Sequence, residues 1–206
     1  MRSEVRLSTL YAVRGLVGLA LVLAAACHPL TKPAPQPAGS WAQRQVQLQS
    51  ADRWRFEGRF AISGVESGGS GGIRWTQKNA RSDVSVFGPL GAGGLEIALD
   101  GNELRVKTSR GESLDGEQAR QLIEDRLGAA LPLVAMRYWL LGVAAPGSDA
   151  SETLGDNQRL AALTQQGWDV RFAEYQAVAG DLLPARVDAV RAGVKVKLRI
   201  SRWQWE

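Results

Sequence analysis

In "WRFEGRFAIS", residues 54–63, the large apolar side chains Trp54, Phe56, Phe60 and Ile62 alternate with Arg55, Glu57, Arg59 and Ala61. A period of two is the mark of a β-strand with one apolar and one wet face. The signature returns with Ile73 and Trp75 in "IRWTQK", and with Val84 and Val86 in "DVSVF". It closes the chain in "VKVKLRISRW", where Val194, Val196, Leu198 and Ile200 alternate with Lys195, Lys197, Arg199 and Ser201. Asp100-Gly101 between "LEIAL" and "ELRVKT" is a hairpin signal. Gln166-Gly167 and "RAG" join two further strand pairs. The count is nine or more strands, and the 23 glycines supply the turns that such a fold needs.

Three helices break the alternation. "SWAQRQVQLQSAD" opens with a Ser40/Gln43 capping box. "DGEQARQLIEDRLG" begins with an Asp115/Gln118 cap, places Ala119, Leu122, Ile123 and Leu127 on one face, and stops at Gly128. "LPLVAMRYWLLG" has Pro132 in its first turn and Gly142 as terminator, and it is apolar enough to be buried. The fold expected is mainly β (α+β): one antiparallel sheet covered on one face by helices.

The start of the chain is of another kind. A net-positive segment ends at Arg14, and Gly15–Ala26 is an unbroken apolar run of 12 residues. As a helix it would span about 18 Å, against roughly 30 Å of bilayer hydrocarbon, so it fits a secretory signal and not a membrane span. "LAAAC" then resembles the lipobox of bacterial lipoproteins, with Ala24 where leucine is usual. That resemblance makes Cys27 the lipidated first residue of the mature chain, with three acyl chains as anchor. His28, and not Asp, follows the cysteine, which by the same family rule implies the outer membrane. Pro29, Pro33, Pro35 and Pro37 favour an extended tether. The expected organisation is a signal peptide at 1–26, a lipidated tether at 27–39 and one domain at 40–206.

Composition removes several function classes. Net charge is +4, and Arg2, Arg6 and Arg14 against Glu4 account for half of it, so the body lacks the basic patch of a nucleic-acid binder. After His28 the chain contains no His or Cys, which removes Ser-His-Asp and Cys-His catalysis and His/Cys zinc sites. No metal, cofactor or catalytic residue is expected, although a carboxylate pair for glycoside cleavage stays open on composition.

The apolar face of the sheet has two readings, a dry core or a cavity for acyl chains, and periodicity does not separate them. "GPLGAGG" adds Leu90 between Pro89 and Gly91, with no polar neighbours, either tucked under the sheet or exposed for membrane or protein contact.

In order along the chain, the lipobox, "WRFEGRFAI", "IRWTQ", "FGPLGAGGLEI", "LGAALPLVAMRYWLLG", "LTQQGWDVRFAEY", "LPARVDAV" and "VKLRISRW" resemble the LolB family of outer-membrane lipoprotein receptors over residues 54–203. The resemblance implies a single strongly curved sheet, an incomplete β-barrel with helices as a lid over an apolar cavity, a fold shared with the carrier LolA. It implies a monomeric, non-catalytic receptor facing the periplasm. Such a receptor takes acylated lipoproteins from LolA and inserts them into outer-membrane lipid. Cavity residues would be Trp54, Phe56, Phe60, Trp75, Val84, Val86, Leu122, Met136, Leu140 and Trp168. Leu90, with Pro89 and Gly91, falls on the family's membrane-insertion loop. Arg55, Arg59, Arg74, Lys195, Lys197 and Arg199 are either a docking face for the carrier or a solvated surface. A structural lipoprotein with a dry core remains the alternative.

Overall fold

The computed structural model describes residues 40–64, 68–88, 93–127 and 130–206. Cys27, the tether and the Pro89–Leu90–Gly91 segment lie outside these residues. The first helix, α1 (Trp41–Gln49), precedes strands β1 (Arg53–Ser63), β2 (Gly69–Lys78), β3 (Arg81–Phe87), β4 (Gly94–Asp100), β5 (Glu103–Thr108) and β6 (Ser113–Asp115). Helices α2 (Gly116–Leu127) and α3 (Leu133–Leu140) follow. The chain ends with β7 (Ala150–Leu154), β8 (Leu160–Gln165), β9 (Trp168–Val178), β10 (Asp181–Arg191) and β11 (Val194–Trp205).

All eleven strands form one antiparallel sheet in the order β6-β5-β4-β3-β2-β1-β11-β10-β9-β8-β7. The first and last strands are therefore neighbours at its middle, with Phe60 opposite Leu198 and Ile62 opposite Val196. The free edges, β6 and β7, are the two shortest strands, at 3 and 5 residues, and the chain segment between them carries α2 and α3. Short edge strands offer little template for pairing with another chain.

The hairpin turns show why the sequence turns where it does. Gln166 and Gly167 have φ of 53° and 75°, and Ala192 and Gly193 have 48° and 86°, the left-handed pair of a tight primed turn. Ala179-Gly180, with φ of 49° and 86°, makes a third such turn with the same Ala-Gly pair, between strands whose junction the sequence reading did not assign. Residues 150–154 add an edge strand where the sequence suggested only the end of a loop.

Helix α1 starts as expected: Ser40 Oγ accepts from Gln43 N, and Ser40 N donates to Gln43 Oε1 at 3.0 Å. The proposed Asp115 cap is replaced. Asp115 ends β6, its carboxylate accepts from Arg105 Nε at 2.7 Å, and α2 begins at Gly116 with φ +56°. Cross-strand proximity of the Arg105–Asp115 register pair decides this, which local spacing does not reveal.

Inward residues of all but the outermost strands join one apolar core, from Leu104 and Val106 near one edge to Leu160 and Leu163 near the other. A sheet of eleven strands shares one core across its width only by wrapping around it. Ala119 and Ile123 of α2, and Met136, Trp139 and Leu140 of α3, enter the same core.

Candidate functional site

The middle of the sheet is held by aromatic rings. Trp54 stacks on Trp75 with centroids 6.1 Å apart, and Trp203 meets Trp54 at 5.6 Å and Phe56 at 5.4 Å. Trp54, Phe56 and Trp75 are buried, and Val84 lies beside Trp75 in the β2–β3 register. Four residues expected to line a cavity thus form packed core, in which aromatic pairs contribute beyond their buried area.

The others border empty space. Met136, Leu140 and Trp168 line an apolar void of about 10 Å³ together with Trp139, Val187 and Leu198. A void of that size is at the lower limit for one water. Phe60 and Val86 border a second hollow of about 300 Å³, with Ile62, Leu95 and Arg126. Leu122 is half-buried against the core.

A larger hollow of about 460 Å³ lies between α2, α3 and the β4–β5 hairpin. Leu99, Leu104, Ile123 and Leu131 give it an apolar lining, and Glu117, Arg120 and Glu124 add charge. Leu131 and Pro132 line both this hollow and the inner void, so this short segment before α3 is the wall between them. Glu117 and Glu124 are exposed on α2, with Glu117 3.6 Å from Arg120.

Polar side chains that the sequence reading missed fix α1 and α3. Gln165, buried at the end of β8, accepts from Trp139 Nε1 at 2.8 Å and from Ala145 N at 2.9 Å. Its Nε2 donates to Ala145 O at 2.8 Å. Arg44 of α1 is buried, donates to Leu182 O at 2.5 Å and lies 2.9 Å from Asp181. Gln49 Nε2 donates to the Ala144 carbonyl at 2.9 Å, which ties α1 to the segment after α3. An isolated Arg in a helix or Gln before a turn looks like ordinary surface in sequence, so only the long-range contact marks these residues. The indole nitrogens of Trp54 and Trp168 are buried without an acceptor among the described residues.

On the opposite face of the sheet, Arg55, Arg59, Arg74, Lys195, Lys197 and Arg199 point away from the core, as expected. Arg202, donating at 2.6 Å, holds the Glu57 carboxyl below its ordinary pKa, with Arg74 assisting from 3.5 Å. No group of His, Cys, Asp and Glu suited to a metal occurs among the described residues, and no described helix is long and apolar enough to cross a membrane.

Comparison with known proteins agrees with this architecture. The family profile described as "Outer membrane lipoprotein LolB" matches residues 52–203. A protein of Nitrosococcus oceani named outer-membrane lipoprotein LolB is 32% identical over 192 residues, covering 92% of this chain and 96% of its own. The protein of that name from Pseudomonas aeruginosa is 30% identical over 193 residues, covering 92% and 94%. Among solved structures, a LolA-superfamily protein from Nitrosomonas europaea matches with a TM-score of 0.51 at 13% identity, over 82% of this chain and 94% of that one. A DUF1329-family protein from Desulfovibrio piger matches with a TM-score of 0.56 at 8% identity, over 81% and 90%. At such identities the two structures speak for the fold alone. Profile, relatives and the open eleven-stranded sheet agree, and the chain belongs to the LolB family of outer-membrane lipoproteins.

Proposed function

We propose that this protein is a non-catalytic receptor that accepts the acyl chains of lipoproteins from a LolA-type periplasmic carrier and releases them into the inner leaflet of the outer membrane. In this reading Cys27 carries the lipid anchor, and the domain faces the periplasm. The observation that carries it is a pair of spaces that share Leu131 and Pro132: an open hollow of about 460 Å³ with a partly apolar lining outside, and the apolar void among Met136, Leu140 and Trp168 inside. Displacing that one segment would join them into a channel leading under α3. An acyl chain gains about 0.8 kcal/mol per buried methylene, enough to drive such an opening. Handoff needs no nucleotide, because cargo moves toward the site that binds it more tightly. Leu90 is the proposed membrane-insertion residue. Burying its side chain contributes about 1.5–3 kcal/mol, enough to bias release and too little to anchor the protein.

The small inner void favours a second reading, an assembly lipoprotein with a dry core. The test mixes the protein with carrier preloaded with an acylated lipoprotein, with and without liposomes, for wild type and Leu90→Glu. Transfer to both proteins with liposome delivery lost only in the variant supports the receptor. Absence of transfer to either leaves the dry-core reading.

A further inference from the structure

We propose that the end of the sheet around Phe87 is a docking surface for anionic lipid headgroups, with Arg59, Lys107, Arg126 and Lys195 meeting the phosphates. The proposal deepens the receptor reading and rests on its membrane-facing role.

Phe87, the last residue of β3, is half-buried with its ring lying over Gly72: a Cβ built there would be 2.1 Å from Phe87 Cε2. Three hollows meet at this ring. One, of about 480 Å³, is bordered by Arg59 and Arg74; the second, of about 510 Å³, by Arg74 and Lys107; the third, of about 300 Å³, by Arg126. Lys195 sits opposite Ser63 at the same end of the sheet.

Charge is divided unevenly along the strands. At the other end Arg81 pairs with Asp83 at 2.8 Å, Arg105 with Asp115 at 2.7 Å and Arg44 with Asp181 at 2.9 Å, and the exposed Arg53 and Lys78 are offset by the carboxylates of Asp52, Asp100 and Glu103. Around Phe87, Arg59, Lys107, Arg126 and Lys195 are exposed and make no ion pair among the described residues. The carboxylates bordering the hollows are Glu57, already shared by Arg202 and Arg74, and Glu96, opposite Lys107 in the β4–β5 register. Four open cations against two open carboxylates, Glu96 and Glu112 of the adjoining turn, give this end a positive field.

Lipid fits this surface better than an acidic protein does, because the cations surround apolar and not polar chain. Phe87 is an aromatic ring at their centre, and Phe60, Ile62, Val86 and Leu95 line the hollow beside it. Aromatic groups favour the headgroup level of a bilayer, while basic groups beside them meet its phosphates.

The experiment uses the full chain with Cys27→Ser, which removes the proposed lipid-attachment atom. Co-sedimentation is measured with phosphatidylcholine vesicles, with and without phosphatidylglycerol. The parent should partition to the phosphatidylglycerol vesicles and lose binding as salt rises. At about fivefold per cation, corresponding to ~1 kcal/mol each, Arg59→Glu, Lys107→Glu and Arg126→Glu together should weaken partition about a hundredfold. Lys78→Glu, at the far end of β2, should leave it unchanged. Because all proteins share residues 1–39, the difference between them reads the patch alone. Equal binding to both vesicle types, or a triple variant that binds like its parent, overturns the proposal. So does a triple variant that keeps vesicle binding and loses capture of cargo from the carrier, which would make the patch a protein interface. Fluorescent fatty-acid uptake by the same proteins reports separately on the receptor: its absence in the parent defeats that reading and leaves the vesicle result standing.

Discussion

The indole N–H of Trp139 donates to Gln165 Oε1 at 2.8 Å, linking the last turn of α3 to the end of β8. The same amide exchanges two hydrogen bonds with Ala145, at 2.9 and 2.8 Å, so it fixes both the helix and the segment that leaves it. Gln165→Leu, which keeps the volume and removes every partner, should cost about 3 kcal/mol, because buried donors and acceptors are left unmade. A lowered urea midpoint with unchanged slope would show this; an unchanged midpoint would mean the amide does not hold α3.

Two glycines of the sheet predict unequal costs. A Cβ at Gly58, at the register shift between β1 and β11, would be 2.2 Å from the backbone oxygen of Arg199. One at Gly72 would meet the Phe87 ring, which can move. Gly58→Ala should therefore destabilise by about 3 kcal/mol or more, and Gly72→Ala by about 1–2 kcal/mol. Phe87→Ala should relieve the second and leave the first untouched, as a thermal-unfolding double-mutant cycle can measure.

Tyr175 donates its hydroxyl to Leu160 O at 2.5 Å, and burial raises its pKa above the ordinary phenol value. A folded-state pKa raised in this way leaves stability intact below about pH 10 and reduces it as pH rises further, since the unfolded chain then gives up the proton first. One of the three tyrosines should accordingly yield its phenolate absorbance only together with unfolding. Tyr175→Phe should abolish that step. Phenolate absorbance complete before any loss of circular dichroism would refute it.

Leu131 separates the outer hollow from the inner void. Leu131→Trp should reduce uptake of a fluorescent fatty acid several-fold, because added bulk at a partly exposed wall blocks the passage more than it strains the core. A melting temperature close to the parent's, recorded alongside, separates obstruction from misfolding. Full uptake by the variant would place the acyl path elsewhere.

Most strands, the turns at Gln166-Gly167 and Ala192-Gly193 and the family were legible in the sequence, because period two, paired left-handed turn residues and an ordered set of motifs are local properties of a chain; the short edge strand β7 and the Ala179-Gly180 turn were not. Trp54, Phe56 and Trp75 were legible as inward-facing for the same reason, and the capping box of Ser40 and Gln43 is local too. Local pattern did not show that β1 would lie beside β11, that Asp115 would turn to Arg105, or that Gln165 and Arg44 would be buried. Those outcomes depend on residues far apart in the chain that meet only once the sheet has wrapped. The division between packed core and open hollow was decided in the same way. An inward Trp looks alike in sequence whether it faces another ring or empty space; the pairing of β1 with β11, which brings Trp203 onto Trp54 and Phe56, and the placement of α2 and α3 around the outer hollow determine which it is.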